Sequence, residues 1–540
     1  MFLSLIGIIS IGLMGRILVH SKEEFDYCMP SNSSCWPAAS DWDDLKGKLT
    51  GQKLHDLGDT AGYGVCKAPG DDAFEIEDGG EGRCMQYHDC SKKGCKEDAG
   101  WNIPAYSAEA TSDDDIVNAL EFATKHNLQV VVKTSGHNYA GSSMGEGALL
   151  IWMRNFQKFG QITENLEKCG TTYAGVIKVG GGQVWDEIYK AAGTNWHIIG
   201  GGGLSVSAAG GWLMGGGLSA SARLYGLGID NVVEFEVILA DGTKKTASKC
   251  ENEDLFWALR GGGGGSFGVT TAVHYQLHEA KPMCQLGFTT TDFFDPTYDV
   301  TTVYKWIDLL VDTAPTLSAK WGGYWTLNSG YFYFEGSEAE LDADEFMIAI
   351  NNLVHIATDV KCKDSYFEVR GGPDDMVTDK TGSDTFYIAS RLIPVDFVQG
   401  KPKEMKDILK WMVSNGFFTF NYIIGGKMME PATDETAVNP AMRKSIFQIE
   451  VFAENMIEKL RKDIPDSGAG FNHAAKDEPD WENQAWGENK ERLQVLKKQY
   501  DPDNRFNCYH CIGYLAPQSA SQTCTLSLIL ASIIILRNFV

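Results

Sequence analysis

Positive charge is scarce in this sequence: 47 Lys and Arg stand against 72 Asp and Glu in 540 residues, a formal net charge of −25. That shortage excludes a nucleic-acid binder, which needs a basic footprint to displace phosphate counterions. It also disfavours docking on anionic lipid. No H-E-x-x-H, P-loop lysine motif or convincing G-x-S-x-G elbow is present, so zinc-protease, nucleotide-hydrolase and serine-hydrolase chemistry lack clear signatures. No set of residues has metal-ligand spacing, and no internal repeat is visible. Neither hydrophobic stretch reaches the ~20 apolar residues that span a bilayer.

Those two stretches lie at the ends. The run Met1–Met14 has signal-peptide length, so residues 1–20 read as a cleaved secretion signal, with a membrane anchor as the alternative. Near the other end, Ser519, Ala520 and Ser521 precede an apolar run from Cys524 to Leu536. Residues 516–540 therefore match a GPI-attachment signal, the alternative being a marginal membrane segment. There are 13 cysteines, with Cys66, Cys84, Cys90 and Cys95 clustered, and one sequon at Asn32-Ser33-Ser34. Together these point to a secreted or cell-surface protein with disulfides, whose pairing the sequence leaves open.

An apolar fraction of 43% is enough for sizeable cores and excludes a disordered chain. Residues 21–97 read as a Cys-rich, irregular N-terminal wrap. Ser112 is a candidate N-cap, followed by Ile116, Ala119, Leu120 and Ala123 on one helical face. Strands are expected at 128–132, 148–152, 173–179 and 269–277, a helix at 184–192, and a hairpin around Asp241-Gly242. Beyond residue 280 the glycine runs stop. Strands at 321–325, 331–335 and 447–452, with helices at 343–353 and 481–498, indicate a second α+β region.

Glycine, at 59 residues, is concentrated in loops beside strands at 134–147, 180–182, 200–217 and 261–265. Glycine costs backbone entropy, so repeated runs imply close approach of the backbone to something; tight turns are the plain alternative. Gly215–Ala220 fits G-x-G-x-x-A formally, but no strand precedes it, which argues against a nicotinamide site. A phosphate cradle built from several loops fits better.

Four blocks, in order, carry a family resemblance: VVVKTSGHNYAGSS (130–143), GGGGLSVSAAGGWLMGGG (200–217), the stretch 222–273 and WGENKERLQVLKKQYDPDNRF (486–506). They resemble the FAD-linked oxidases related to berberine bridge enzyme, whose flavin domain is of the PCMH or vanillyl-alcohol-oxidase type. The resemblance implies an α+β fold. A two-part FAD-binding PCMH-type domain over 98–279 is closed by a berberine-bridge-like segment at 470–515. A substrate domain with an antiparallel sheet spans 280–469. It also implies FAD as cofactor, a small-molecule substrate and O2 as acceptor.

Site residues follow from the same resemblance. His137 matches the histidine bonded to the flavin 8α-methyl group. The position of a second, cysteinyl link falls at Leu204, so one covalent link is expected. Ser135, Gly136, Asn138, Gly141, Ser142, Gly203, Ser207, Gly210, Gly211, Gly216, Gly217, Asp230, Val237 and Asn472 match flavin-contacting positions. Trp212 stands where some relatives have histidine. Glu450, with Gln448 on the same strand face, matches a glutamate base, its alternative being a solvent-facing strand residue. His473 and Tyr139 match active-site positions, with plain loop packing as the alternative. Cys508-x-x-Cys511 supplies too few ligands for a metal and reads as a structural disulfide or as two separate bridges. The expected function is oxidation of an alcohol or saccharide by hydride transfer to flavin. The alternatives are oxidative ring closure on a specialised metabolite, and a surface protein whose flavin is structural.

Overall fold

The computed structural model describes residues 27–56, 83–84, 88–89, 104–138, 140–290, 300–353, 356–370 and 387–515. The terminal segments 1–20 and 516–540, Cys66, Cys90, Cys95 and Tyr139 lie outside the described residues. The architecture below belongs to one compact unit, Cys28–Tyr514; of the second unit only Tyr27 and Leu515 are described.

The expected irregular wrap contains a helix, α1 (Ala39–Lys48), because Trp42 and Leu45, three residues apart, share one face and bury it. After β1 (Leu54–Asp56) and β2 (Tyr106–Glu109) comes α2 (Asp113–Lys125). Ser112 caps it as expected: its Oγ accepts from Asp115 N at 3.3 Å, and Asp115 Oδ2 accepts from Ser112 N at 3.0 Å. With β3 (Val130–Lys133) and β4 (Leu149–Trp152) these strands form a sheet ordered β1-β2-β4-β3, parallel except for β1. Its central strand is apolar along its length because parallel strands are covered on both faces.

The second sheet is antiparallel. It comprises β5 (Ile162–Lys168), β6 (Thr171–Gly180), β7 (Val232–Ile238), β8 (Lys244–Ser248) and β9 (Val269–Glu279), in the order β8-β7-β9-β6-β5. The hairpin β7–β8 turns at Asp241-Gly242, where Gly242 takes φ +79°. Helix α3 (Trp185–Ala192) buries Trp185, Ile188, Tyr189 and Ala192 against this layer.

The third sheet has seven antiparallel strands: β10 (Met283–Thr290), β11 (Trp321–Trp325), β12 (Ser329–Glu335), β13 (Ile356–Lys363), β14 (Ala389–Pro394), β15 (Thr419–Ile423) and β16 (Ser445–Val451). Their order is β13-β10-β12-β11-β15-β16-β14. Side chains alternate along each strand. Trp321, Trp325, Phe332, Phe334, Ile423, Phe447, Ile449 and Val451 face a core shared with α4 (Val300–Thr313), α5 (Glu345–Asn351) and α6 (Pro402–Ser414). Their neighbours Tyr324, Tyr333, Tyr422, Gln448 and Glu450 face the opposite way, into a cleft. The expected helix over 481–498 is two: α7 (Trp481–Trp486) and α8 (Lys490–Tyr500). Gly487, at φ +52°, breaks it. Disulfides join Cys28–Cys35, Cys169–Cys250, Cys284–Cys362 and Cys508–Cys511. Among the described residues no helix is long and apolar enough to cross a membrane.

Two histidines, one buried and one half-buried, give the fold a pH dependence. His197 is 3% exposed and stacks on Tyr366, and burial pushes its pKa from 6.5 down to about 3. Burial likewise lowers its cross-strand neighbour His278 to about 4. Both are neutral in the fold, whereas the unfolded chain protonates them near pH 6.5. The unfolded state therefore binds more protons between those values, and stability falls as pH drops from about 6.5 toward 3. The urea midpoint is expected to fall from pH 7 to 4 more steeply in the wild type than in His197→Asn; parallel curves would contradict this.

Candidate active site

Glu450 occupies the inner strand β16, opposite Phe420 on one side and Ser390 on the other. It is 3% exposed, which removes the solvent-facing alternative. Its Oε1 accepts from Gln448 Nε2 at 2.8 Å and lies 2.8 Å from His473 Nδ1. Gln448 Nε2 is also 3.1 Å from that ring nitrogen. Nδ1 cannot donate to the carboxylate while accepting from the amide. The shorter, charge-favoured contact assigns its proton to the Glu450 bond.

His473 is carried by the turn Phe471–His473, which returns over the end of the sheet. Gly470 N donates to Ser390 Oγ at 3.0 Å, and a Cβ on Gly470 would lie 2.5 Å from Gln448 Oε1. Glycine is thus what lets this turn bring His473 onto the carboxylate.

The cleft has a volume of about 810 Å³, and its second wall is made of the glycine loops. His137, Gly203 and Leu204 stand on that wall, with Glu450, His473 and Asn472 lining the same space. His137 Nε2 is 2.8 Å from Ser205 Oγ. Its loop is tied in place: Asn138 Oδ1 accepts from Gly141 N at 2.6 Å and Ser142 N at 2.8 Å, and Ser142 Oγ donates to Tyr509 O at 2.5 Å.

A narrow groove continues from the cleft past His137. It is lined by Ser135, Gly136, Asn138, Ser142, Ser207, Gly210, Gly211 and Asn472. Ser135 Oγ accepts from Ser207 N at 3.2 Å. Asn472 Nδ2 donates to Trp212 O at 2.9 Å, and a Cβ on Gly215 would lie 2.2 Å from Asn472 Oδ1.

Other expected contacts sit elsewhere. Gly216 and Gly217 form the tight turn after Gly211–Met214, at φ +123° and +73°, and do not line the groove. Asp230 is held by Arg443, which donates to its two carboxylate oxygens at 2.7 and 2.6 Å. Val237 is buried in β7, its Cγ2 2.8 Å from where a Cβ on the groove residue Gly268 would lie. Cys508 and Cys511 pair with each other, one of the alternatives the spacing left open. Glu234, Glu236 and His274 converge as metal ligands can, but Lys168 and Lys178 hold the two carboxylates in ion pairs.

The groove suits a flavin. A Cβ on Gly264 would lie 2.7 Å from Gly211 Cα, so side chains are excluded where the loops meet. Ser207 Oγ is buried there without a hydrogen-bond partner, as a group awaiting a ligand would be. The reading of the sequence missed Ser205, the cleft tyrosines and Arg370. For Tyr324 and Tyr333 the signal was present: period-2 alternation in strands already recognised assigns their face.

The chain matches the FAD binding domain family over residues 104–248 and the berberine and berberine-like family over 471–513. It is 27% identical to an uncharacterized FAD-linked oxidoreductase of Arthroderma benhamiae, over 89% of this chain and 94% of that one. Its fold is similar to the VAO-type flavoprotein MtVAO615 of Myceliophthora thermophila (TM-score 0.72, 25% identity, 90% of this chain and 97% of that one). It is also similar in fold to a glucooligosaccharide oxidase of Acremonium strictum bearing a 6-S-cysteinyl, 8α-N1-histidyl FAD (TM-score 0.65, 20% identity, 87% and 99%).

Proposed function

We propose that this chain, matched by the FAD binding domain and berberine-like families, is a berberine bridge enzyme-like, VAO-type FAD-linked oxidoreductase that oxidises an alcohol or saccharide CH–OH group, with O2 as acceptor, outside the cell. The observation that carries this reading is the contact between buried Glu450 and half-buried His473, 2.8 Å apart, in the same cleft as His137. A carboxylate shielded from water, with one oxygen already engaged by Gln448 and His473, suits acceptance of a hydroxyl proton. The second carboxylate oxygen, Oε2, would receive it. His473 donates through Nδ1, which orients the carboxylate and stabilises its charge before the proton arrives. Gln448 holds both.

FAD, when bound along the groove, supplies the two-electron chemistry that no side chain can. Ser135, Asn138, Ser207 and the glycine loops would hold it, with Asn472 at the junction. His137 would attach it through a single bond, because Leu204 stands where a cysteinyl link would form. Leu204 is 7% exposed and offers no nucleophile. The disulfides are compatible with an oxidising compartment.

Acid precipitation tests the attachment. Yellow colour is expected to stay with the wild-type pellet and to travel with the proteolytic peptide containing His137. His137→Ala should release its flavin to the supernatant. Colour retained by the pelleted variant would exclude His137 as the attachment residue.

A further inference from the structure

Arg370 follows the short turn Tyr366–Val369 and lines the same cleft as Glu450. Its guanidinium carbon lies 3.7 Å from the ring centroid of Tyr189. That ring is fixed from the opposite wall: Tyr189 belongs to α3, and its hydroxyl donates to Gly201 O at 3.0 Å. Stacking engages the guanidinium face and leaves its N–H edge for an acceptor in the cleft.

Among the described residues Tyr189 is the side-chain partner of Arg370, and no carboxylate or backbone carbonyl takes that edge. Each of the other arginines with described side chains ends on a carboxylate or a backbone carbonyl. Arg391 and Arg461 share Glu478, Arg443 holds Asp230 and Arg492 holds Asp254. Arg154, Arg223, Arg260 and Arg505 donate to backbone carbonyls. Among the described residues Arg370 has neither kind of partner. Lys190, the other cation on the cleft, is paired with Asp186 at 2.6 Å. The nearby Glu368 accepts from Ser365 Oγ at 2.8 Å, which ties it to its own turn.

Arg370 is thus a cleft cation without a carboxylate partner, whereas the cleft's Lys190 is already paired with Asp186. The planar guanidinium fork matches a carboxylate in two parallel hydrogen bonds. Tyr324, Tyr333 and Tyr366 surround the same space, and burial raises the pKa of each, so their hydroxyls stay protonated at neutral pH. We propose that Arg370 binds a carboxylate on the substrate, so that the molecule oxidised is a hydroxy acid, such as a sugar acid or a carboxylated alcohol, rather than a neutral one. This rests on the cleft being the substrate site, as proposed above.

Matched probes test it on the holoenzyme: glucuronate against glucose, cellobiouronate against cellobiose, and 4-(hydroxymethyl)benzoate against its amide. Binding is read by perturbation of the flavin spectrum, and turnover as separate kcat and KM. At least one acid is expected to bind about tenfold or more tighter than its neutral partner, through KM. Arg370→Met, which keeps length without charge, should abolish that preference. Arg370→Lys should restore part of it, which a purely structural role for the arginine would not produce. Equal binding within every pair, or a preference that survives Arg370→Met, overturns the proposal. Glu450→Gln separates the two readings. Full turnover in that variant sinks the base while the acid preference can stand, and lost turnover with no acid preference does the reverse.

Discussion

Glu450→Gln is expected to lower kcat by roughly 10²–10⁴-fold, the usual worth of a positioned general base, while flavin content and thermal stability stay near wild type. The substitution is close to isosteric. The 2.8 Å contact with His473 Nδ1 can persist, because an amide oxygen still accepts from it. What disappears is the site that takes a proton. Glu450→Ala would be a poorer test, since it opens a hole in an inner strand where the residue is 3% exposed. The direct measurement is the anaerobic rate of flavin bleaching by an oxidisable probe, compared between wild type and Glu450→Gln. Bleaching at the wild-type rate would remove Glu450 from the chemistry and leave His473 as the cleft's candidate proton acceptor.

Asp230→Ala is expected to destabilise the fold by about 3–5 kcal/mol, the cost of stranding a buried charge. Arg443 is 1% exposed at its side chain and spends both terminal nitrogens on Asp230, with Met428 O and Thr436 Oγ1 as further acceptors. Removing the carboxylate leaves a guanidinium that water does not reach. Replacing both residues together with apolar side chains should cost much less, because the desolvation penalty is relieved along with the attraction. Urea unfolding of both single variants and the double variant reads the coupling. A loss below about 1 kcal/mol in Asp230→Ala, the range of exposed pairs, would mean that the ion pair is hydrated in solution. The same variant tests the flavin contact expected of Asp230: that contact requires colour to be lost under conditions where the fold persists.

Local signals in the sequence were strong wherever one element could be judged alone. Ser112 with Asp115 marked a helix start, and Val130–Lys133 was legible from its β-branched run. Gly242 marked a hairpin because its positive φ is a local demand. The glycine loops stood out because several costly stretches together invite a ligand, whereas His137 was singled out by the family resemblance alone. What stayed hidden depends on contacts distant in sequence. Asp230 meets Arg443 213 residues away, and nothing near either residue announces the other. Ser205 reaches His137 across 68 residues. Arg370 looked like any surface arginine until the fold laid it on Tyr189. Two helices in the N-terminal wrap and near residue 487 were misjudged for local reasons, one a short amphipathic face and the other a single left-handed glycine.

The polypeptide that completes the first sheet comes from far downstream. Phe506 bridges Val130 in parallel, Arg505 donates to Leu128 O, and Ser142 donates to Tyr509 O. A ribosome making this protein exposes the His137 loop more than 360 residues before Tyr509, its anchor, is synthesised. At about 5–20 residues per second that interval lasts tens of seconds. During it the glycine loops have no closing segment, and loop-closure entropy opposes the join until the end. The first sheet and the anchor of the His137 loop are therefore completed only when the chain is nearly finished, so this part of the fold is among the last that a growing molecule can close.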